Sequence, residues 1–162
     1  MKIAVIGDGG WGTANALLLA GYGHDVTVWG AFPDYIEECR RTRRNEKFLK
    51  GVTLPDALKL TADREEAVKG AEVVVLAPPS KYFTSVVSSF KGLITPEMLV
   101  VSITKGLCEK TNRRMTDLGA EILGTGPLVH TRVILTNSDE KFPSFTAVFS
   151  LGIFLLPSSR RA

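Results

Sequence analysis

The stretch that decides the fold is residues 3–13, which read Ile-Ala-Val-Ile-Gly-Asp-Gly-Gly-Trp-Gly-Thr. An apolar run of strand length leads directly into a glycine-rich turn, and a run compatible with a helix follows. In the spacing Gly-x-Gly-x-x-Gly, Gly7 makes the tight turn, Gly9 lets a pyrophosphate approach the backbone, and Gly12 lets helix and strand pack closely. Glycines that only tighten a turn are the alternative, which the strand, the spacing and the helix together argue against. We therefore predict a dinucleotide-binding site whose cofactor contacts are Gly7, Gly9, Gly10, Trp11 and Gly12.

The rest of the chain alternates short apolar runs with amphipathic stretches. The predicted strands are Ile3–Ile6, Val26–Trp29, Leu58–Leu60, Val73–Ala77, Leu99–Ile103 and Val133–Leu135. Nearly continuous apolar runs such as residues 73–76 are typical of strands that are buried on both faces of a parallel sheet. The alternation therefore predicts an α/β fold of Rossmann type, in which a doubly wound, mostly parallel sheet carries helices on both faces.

Helices are predicted between these strands, over Ala14–Gly21 and Asp34–Arg44 among others. Asp63, followed three residues later by Glu66, indicates a capping box at the start of a short helix that Gly70 ends. Two further sets of apolar residues share a helical face. They are Tyr82, Val86, Val87 and Phe90 before Gly92, and Met115, Leu118 and Ile122 before Gly124.

Composition places the chain among ordinary globular domains. Of 162 residues, 20 are Lys or Arg and 17 are Asp or Glu, and a content of 44% hydrophobic residues argues against disorder. The length suits one domain, so we predict residues 1–144 as a dinucleotide-binding domain and residues 145–162 as a divergent C-terminal segment. Neither cysteine belongs to a Cys-x-x-Cys motif and the chain has two histidines, so no metal site is expected. No signal peptide is recognised at the N-terminus, which favours a cytoplasmic location.

Charge and hydropathy also limit the partners that we expect. The basic cluster Arg40, Arg41, Arg43 and Arg44 lies among glutamates, which favours a solvated helix face over a nucleic-acid surface. The longest apolar stretch, residues 145–156, is shorter than the roughly 20 residues that span a bilayer. We therefore expect neither nucleic-acid binding nor a membrane span. The same stretch carries more apolar side chains than a solvated tail should expose, which favours self-association into a homo-oligomer.

The end of the second predicted strand lacks an expected residue. An acidic side chain about 20 positions after the glycine loop usually binds the 2′-hydroxyl of the adenine ribose, but Trp29-Gly30-Ala31-Phe32 stands there and the nearest carboxylate is that of Asp34. The arginines of residues 40–44 can reach toward a 2′-phosphate, so the choice between NAD and NADP stays open. Phe32 either stacks on adenine or fills a gap beneath the following helix.

Several motifs together resemble the NAD(P)-dependent glycerol-3-phosphate dehydrogenases. Residues 7–14 are similar to that family's Gly-Ala-Gly-Ser-Trp-Gly-Thr-Ala opening. Residues 45–55 resemble its Asn-x-x-Tyr-Leu-Pro-Gly-x-x-Leu-Pro motif, with Lys50 in place of a proline. Residues 74–80 resemble the turn that ends in Val-Pro-Ser, and residues 102–106 resemble Ser-x-Thr-Lys-Gly. The resemblance covers roughly residues 1–123.

The resemblance implies an oxidoreductase that uses NAD or NADP and transfers hydride between the cofactor and the pair dihydroxyacetone phosphate and glycerol 3-phosphate. It implies that Lys105 contacts this small-molecule substrate, although a lysine extending from a strand end into water is the alternative. It also implies cofactor contacts for Pro79, Ser80 and Phe83. The alternative for these residues is a helix N-cap at Ser80 followed by a core aromatic, and the two interpretations are compatible.

The resemblance is incomplete. A Gly-Pro-Ser or Gly-Ala-Asn loop is expected near residues 135–138 and is absent. Family members are about twice as long, and their second, mostly helical domain supplies the principal catalytic lysine and most substrate contacts. We therefore expect this chain to be inactive or weakly active alone. The alternatives are a shortened, non-catalytic NAD(P)-binding sensor or subunit module, and the coenzyme domain of another β-hydroxyacid-type dehydrogenase.

Overall fold

A parallel β-sheet organises the computed structural model, which describes residues 1–108, 111–125 and 128–130. Its strands, with those of a separate antiparallel ribbon, are β1 (Lys2–Ile6), β2 (Asp25–Trp29), β3 (Arg44–Asn45), β4 (Leu49–Thr53), β5 (Lys59–Thr61), β6 (Val73–Leu76), β7 (Leu99–Ser102) and β8 (Val129–His130). Within the described ranges the sheet order is β5-β2-β1-β6-β7-β8 with every pair parallel, and β3 and β4 form the ribbon. The strand order reverses between β1 and β6, and α/β sheets bind ligands at such a reversal.

Helices cover both faces of the sheet. They are α1 (Gly10–Gly21), α2 (Pro33–Thr42), α3 (Arg64–Val68), α4 (Phe83–Ser88) and α5 (Met115–Leu123). Ile3 and Val5 of β1 point to the face that α1 and α2 cover, whereas Ala4 and Ile6 point to the face that α3, α4 and α5 cover. This alternation along a strand that is buried on both sides confirms the predicted doubly wound fold.

Local signals in the sequence mark several element ends correctly. Asp63 caps α3 by accepting a hydrogen bond from the backbone N–H of Glu66 at 2.8 Å. Gly70 follows that helix with φ +69°, and Gly124 ends α5 with φ +68°, both in the left-handed region that glycine tolerates best. The Asp63 side chain, Gly70 and Gly124 behave as the sequence predicts. The reciprocal half of the capping box differs, because the Asp63 N–H donates to Oγ1 of Thr61 at 3.1 Å and the Thr61 hydroxyl donates to the Glu66 carboxylate.

Other predictions differ from the structure or fall outside it. Tyr82 does not share the buried face of α4: it ends a 3₁₀ turn over Ser80–Tyr82 and is 53% exposed. The β3–β4 ribbon was not predicted, since strands this short carry little periodicity. The strand predicted at Val133–Leu135 and the predicted C-terminal segment 145–162 lie outside the described residues.

Candidate dinucleotide-binding cleft

The glycine loop joins β1 to α1 at the reversal of strand order. Gly7 has φ +126°, and its N–H donates a hydrogen bond to the carbonyl oxygen of Trp29 at 2.9 Å. A Cβ on Gly7 would lie 2.8 Å from the carbonyl oxygen of Ala77, and a Cβ on Gly12 would collide with the carbonyl oxygen of Gly7. These two glycines therefore allow β1, α1 and the end of β6 to meet.

Gly9 has a different environment. It is the N-cap residue of α1, with an extended backbone conformation, and no side chain caps the helix there. A Cβ on Gly9 would meet nothing within 4 Å among the described residues. The first N–H groups of a 12-residue helix thus border open space, which is the arrangement that binds phosphate. The residues present therefore fit the pyrophosphate of a dinucleotide.

This open space belongs to a cleft of about 970 Å³ beyond the carboxyl ends of β1, β2, β6 and β7. Ligand cavities commonly measure about 300–1,000 Å³. Five segments supply its walls, namely the glycine loop 7–12, the turn after β2, the turn of the β3–β4 ribbon, the turn after β6 and the end of β7. The lining residues outside the loop include Trp29, Ala31, Phe32, Lys47, Phe48, Ala77, Pro78, Pro79, Ser80, Tyr82, Ile103, Thr104 and Lys105.

Most of the predicted contacts line this cleft, but Phe83 does not. Phe83 is 0% exposed and packs in the core beside α5, where a Cβ on Gly119 would lie 3.3 Å from its ring. It is the core aromatic of the alternative interpretation, and its expected cofactor contact is not supported. Ser80 lines the cleft, yet the residue that caps the 3₁₀ turn is Pro79, so the predicted N-cap at Ser80 is wrong.

Phe32 lies at the edge of the cleft and is 63% exposed. A ring with that exposure does not fill a gap beneath α2, so the packing alternative for Phe32 does not hold. The arginines expected to reach toward a phosphate are engaged elsewhere. Arg43 donates to the carbonyl oxygens of Leu54, Pro55 and Leu58, while Arg40 and Arg44 pair with Glu37 and Glu46. None of these arginines lines the cleft.

Lys105 follows β7 on the opposite side of the cleft. Its Nζ lies 5.2 Å from the ring centroid of Trp11, within the range of a cation–π contact. The neighbouring Thr104 is buried, and its hydroxyl donates to the carbonyl oxygen of Pro78 at 2.9 Å. These contacts hold an exposed ammonium group over the N-terminal turn of α1.

The β3–β4 ribbon, which was not predicted from the sequence, supplies one wall of the cleft. Asn45 is 3% exposed, and its Nδ2 donates to the carbonyl oxygen of Asp8 at 2.7 Å and to Oγ1 of Thr13 at 2.8 Å. Its Oδ1 accepts from the hydroxyl of Tyr35 at 2.7 Å, and burial raises the pKa of Tyr35 to about 12, so this donor stays protonated. Asn45 thus fastens the ribbon to the glycine loop. In the sequence, Asn45 could have been singled out because it is the first residue of the family motif at residues 45–55.

The ribbon brings Lys47 and Phe48 to the cleft. The Nζ of Lys47 lies 5.1 Å from the ring centroid of Phe48, 5.6 Å from that of Tyr35 and 5.8 Å from that of Phe32. A Cβ on Gly10 would collide with the carbonyl oxygen of Phe48, which shows how closely ribbon and loop approach. Sequence reasoning assigned no role to Lys47.

Asp8 is a second cleft residue without a predicted role. Its Oδ2 is buried and has no hydrogen-bond partner among the described residues. Burial raises the pKa of the Asp8 carboxyl, while a hydrogen bond from its own backbone and the charge of Lys47 oppose that rise. The position inside the glycine loop was visible in the sequence, but its spatial neighbours were not.

The sheet order, the glycine cradle and the cleft at the switch point define a Rossmann-type dinucleotide-binding domain. Residues 2–135 match the family described as NAD-dependent glycerol-3-phosphate dehydrogenase N-terminus. The chain therefore belongs to the NAD-dependent glycerol-3-phosphate dehydrogenase family.

Individual relatives agree with this assignment. The chain is 42% identical over 123 residues to the glycerol-3-phosphate dehydrogenase [NAD(P)+] of Fusobacterium nucleatum, which covers 76% of this chain and 37% of the relative. It is 41% identical to that of Geobacillus kaustophilus, with 76% of this chain and 36% of the relative covered. The crystal structure of the Coxiella burnetii glycerol-3-phosphate dehydrogenase matches with a TM-score of 0.71 and 32% identity, over 76% of this chain and 38% of that chain. The chain thus spans well under half of the length of these relatives.

Two further properties concern the described ranges alone. No helix in them is long and apolar enough to cross a membrane. In the same ranges, no three side chains of His, Cys, Asp or Glu lie together as metal ligands.

Proposed function

We propose that this chain binds NAD or NADP and forms the coenzyme-binding part of a glycerol-3-phosphate dehydrogenase. The observation that carries the proposal is the open space beside Gly9 at the N-terminus of α1, within a cleft at the switch point of the sheet. Nothing in the described part of the chain needs that space for packing. Family membership supplies the substrate pair, dihydroxyacetone phosphate and glycerol 3-phosphate.

The backbone N–H groups at the start of α1 bind the pyrophosphate, aided by the partial positive charge of the helix end. Pro79 and Ser80 form the wall next to the switch point, and Phe32 offers an exposed ring for the adenine. When bound, the nicotinamide cofactor supplies or accepts the hydride.

Lys105 serves the substrate. Its ammonium group pairs with the substrate phosphate or stabilises the oxygen that gains negative charge as a ketone becomes an alcohol. Trp11 holds that group at the cleft through the cation–π contact. Hydride transfer also requires a proton donor and the exclusion of water, and the described residues supply one wall of such a site. We therefore propose that the chain alone is inactive or weakly active.

A turnover assay tests whether the chain binds the cofactor without catalysing the reaction. We expect the purified chain to oxidise NADH or NADPH with dihydroxyacetone phosphate no faster than background, followed by absorbance, while calorimetry shows binding of the cofactor. Robust turnover that Lys105→Ala abolishes would contradict the expected inactivity and place complete catalytic machinery in this chain.

A non-catalytic NAD(P)-binding sensor or subunit module is the second candidate. Binding without turnover fits both candidates. They are separated by adding purified C-terminal domain of the Fusobacterium nucleatum relative, because restored turnover supports the dehydrogenase. A cytoplasmic location and self-association are further parts of the proposal, which rest on the sequence alone.

A further inference from the structure

A carboxyl group lies at the end of β2 although the strand itself carries none there. Gly30 is the first residue after β2, and a Cβ placed on it would lie 2.8 Å from Cγ of Asp8. The side chain of Ile36, which is nearer still, and the Asp8 carboxyl together occupy the space that a side chain at position 30 would need. Asp8 comes from the glycine loop, which follows β1 rather than β2. Glycine at position 30 is what makes room for it.

We propose that Asp8 takes the place of the missing acidic residue of β2, accepts a hydrogen bond from the adenine-ribose hydroxyls, and makes the chain prefer NAD to NADP. In Rossmann folds the carboxylate at this place binds the 2′-hydroxyl, whereas a cation accommodates the 2′-phosphate of NADP. The inference rests on the proposed function and deepens it, because it names the cofactor that the cleft selects.

The hydrogen bonds around Asp8 leave it capacity for a ligand. An ionised carboxylate accepts hydrogen bonds at two oxygens, and Oδ2 of Asp8 receives none from the described residues. Asp8 lines the cleft as a half-buried residue, whereas Oδ2 itself is buried, so the carboxyl group must turn toward the cleft to accept from a ribose hydroxyl. A hydroxyl donor favours the ionised form that burial disfavours.

The charges around the end of β2 argue against a bound 2′-phosphate. Lys47 lines the same cleft, and its positive charge lowers the pKa of the Asp8 carboxyl, against the larger opposite effect of burial. The three aromatic rings around Nζ of Lys47 also hold it in place. Arg43 and Arg44 bind carbonyl oxygens and Glu46, respectively, and neither lines the cleft. A phosphate at this place would therefore meet the Asp8 carboxylate without a surplus of positive charge.

Calorimetry on the full chain tests the proposal with NAD, NADP and 2′-deoxy-NAD as probes. We expect the wild-type chain to bind NAD at least tenfold more tightly than NADP, and to bind 2′-deoxy-NAD about tenfold more weakly than NAD. Asp8→Asn keeps the size of the side chain and removes its charge, so the preference for NAD should fall toward unity. Asp25→Asn is the matched control, because Asp25 starts β2 at its other end and pairs with Lys59 at 2.7 Å. This control should leave all three affinities unchanged.

Lys47→Met distinguishes the effect of Lys47 on cofactor binding from that of Asp8. We expect it to weaken NADP binding and to retain or increase the preference for NAD, since it removes the cation and leaves Asp8. The comparison of NAD with 2′-deoxy-NAD needs no variant, so it decides the matter even where Asp8→Asn fails to fold.

The outcomes distinguish this inference from the proposed function. A chain that binds neither dinucleotide overturns both. A chain that binds NADP as tightly as NAD, that does not discriminate against 2′-deoxy-NAD, or whose preference survives Asp8→Asn overturns the role of Asp8 alone and leaves dinucleotide binding intact.

Discussion

Replacing Gly9 by valine should abolish cofactor binding and leave the fold in place. A Cβ on Gly9 would meet no described protein atom within 4 Å, so we expect the new side chain to fit without a clash. Its backbone has φ −60° and ψ 165°, which any residue adopts. The same space is where the pyrophosphate must approach the N–H groups of α1. A valine side chain there displaces the phosphates from those groups.

The expected loss follows from the hydrogen bonds that are broken. Hydrogen bonds to charged groups are worth about 1.5–3 kcal/mol each, so losing two weakens binding by about 3–6 kcal/mol. Because about 1.4 kcal/mol corresponds to a factor of ten, the Kd should rise by about 10²- to 10⁴-fold. Stability should change by no more than about 1 kcal/mol, the usual effect of replacing a favourable N-cap residue.

Two further glycine variants of the same helix complete the experiment. Gly21→Val adds a side chain at the other end of α1, where a Cβ also meets nothing within 4 Å of described protein, so it should bind cofactor normally. Gly12→Ala places a Cβ against the carbonyl oxygen of Gly7, and overpacking of this kind costs typically about 1–3 kcal/mol. Gly12→Ala should therefore lower the thermal midpoint, by about 2–4 °C for each kcal/mol.

Calorimetry with NAD and NADP measures binding, and circular dichroism on heating measures stability. If Gly9→Val binds either cofactor with the affinity of the wild type, the phosphates do not lie at the start of α1 and the assignment of the site is refuted. If Gly12→Ala is as stable as the wild type, the close approach of loop and helix is not what requires glycine there.

Three other predictions concern stability and assembly. Asp63→Ala removes the cap on α3 and should cost about 1 kcal/mol, seen as a thermal midpoint lower by about 2–4 °C; an unchanged midpoint would show that the cap is dispensable. Burial raises the pKa of Asp8 above its value of 3.8 in the unfolded chain, so the folded state binds the proton more tightly and stability declines as the pH rises through the raised pKa. Asp8→Asn should therefore be more stable than the wild type at pH 7, and the difference in the free energy of unfolding should shrink below pH 4. A variant that is less stable than the wild type at pH 7 would contradict the stated direction of the pKa effect. Light scattering should show self-association of the full chain that a chain ending at Ser144 has lost, and equal monomers would exclude the apolar segment as an interface.

The glycine loop was predictable because its requirements are local. Strand, turn and helix follow one another without a break, and the spacing of the glycines is visible within six residues, although Gly7 and Gly10 also make room for Ala77 and Phe48. The ends of the strands that were predicted within the described residues agree with the sequence to within about one residue, since the apolar run 3–6 lies between Lys2 and Gly7 and the run 73–76 begins after Glu72 and ends just before Pro78. The cap at Asp63 likewise depends on a residue only three positions away.

The error at Tyr82 has a local physical cause. The periodicity of 3.6 residues was extended back through Tyr82, but Pro79 starts a 3₁₀ turn there before α4 begins at Phe83. A 3₁₀ turn has about three residues per turn, so it changes the direction in which successive side chains point. Tyr82 consequently faces the cleft and Phe83 faces the core. The aromatic expected at the cofactor is thus replaced by its neighbour.

The remaining parts of the site depend on contacts between distant positions. Asn45 reaches the carbonyl oxygen of Asp8 across 37 residues, and that bond places Lys47 beside the loop. In a sequence, the ribose-binding acid is expected at the end of β2, because that is the position it usually occupies in the chain. In our proposal the ribose needs a carboxylate at a place in space, and Asp8 would supply it from the turn after β1, next to Gly30. The acid inside the glycine loop and the glycine after β2 lie 22 positions apart, so only the fold shows that they are neighbours.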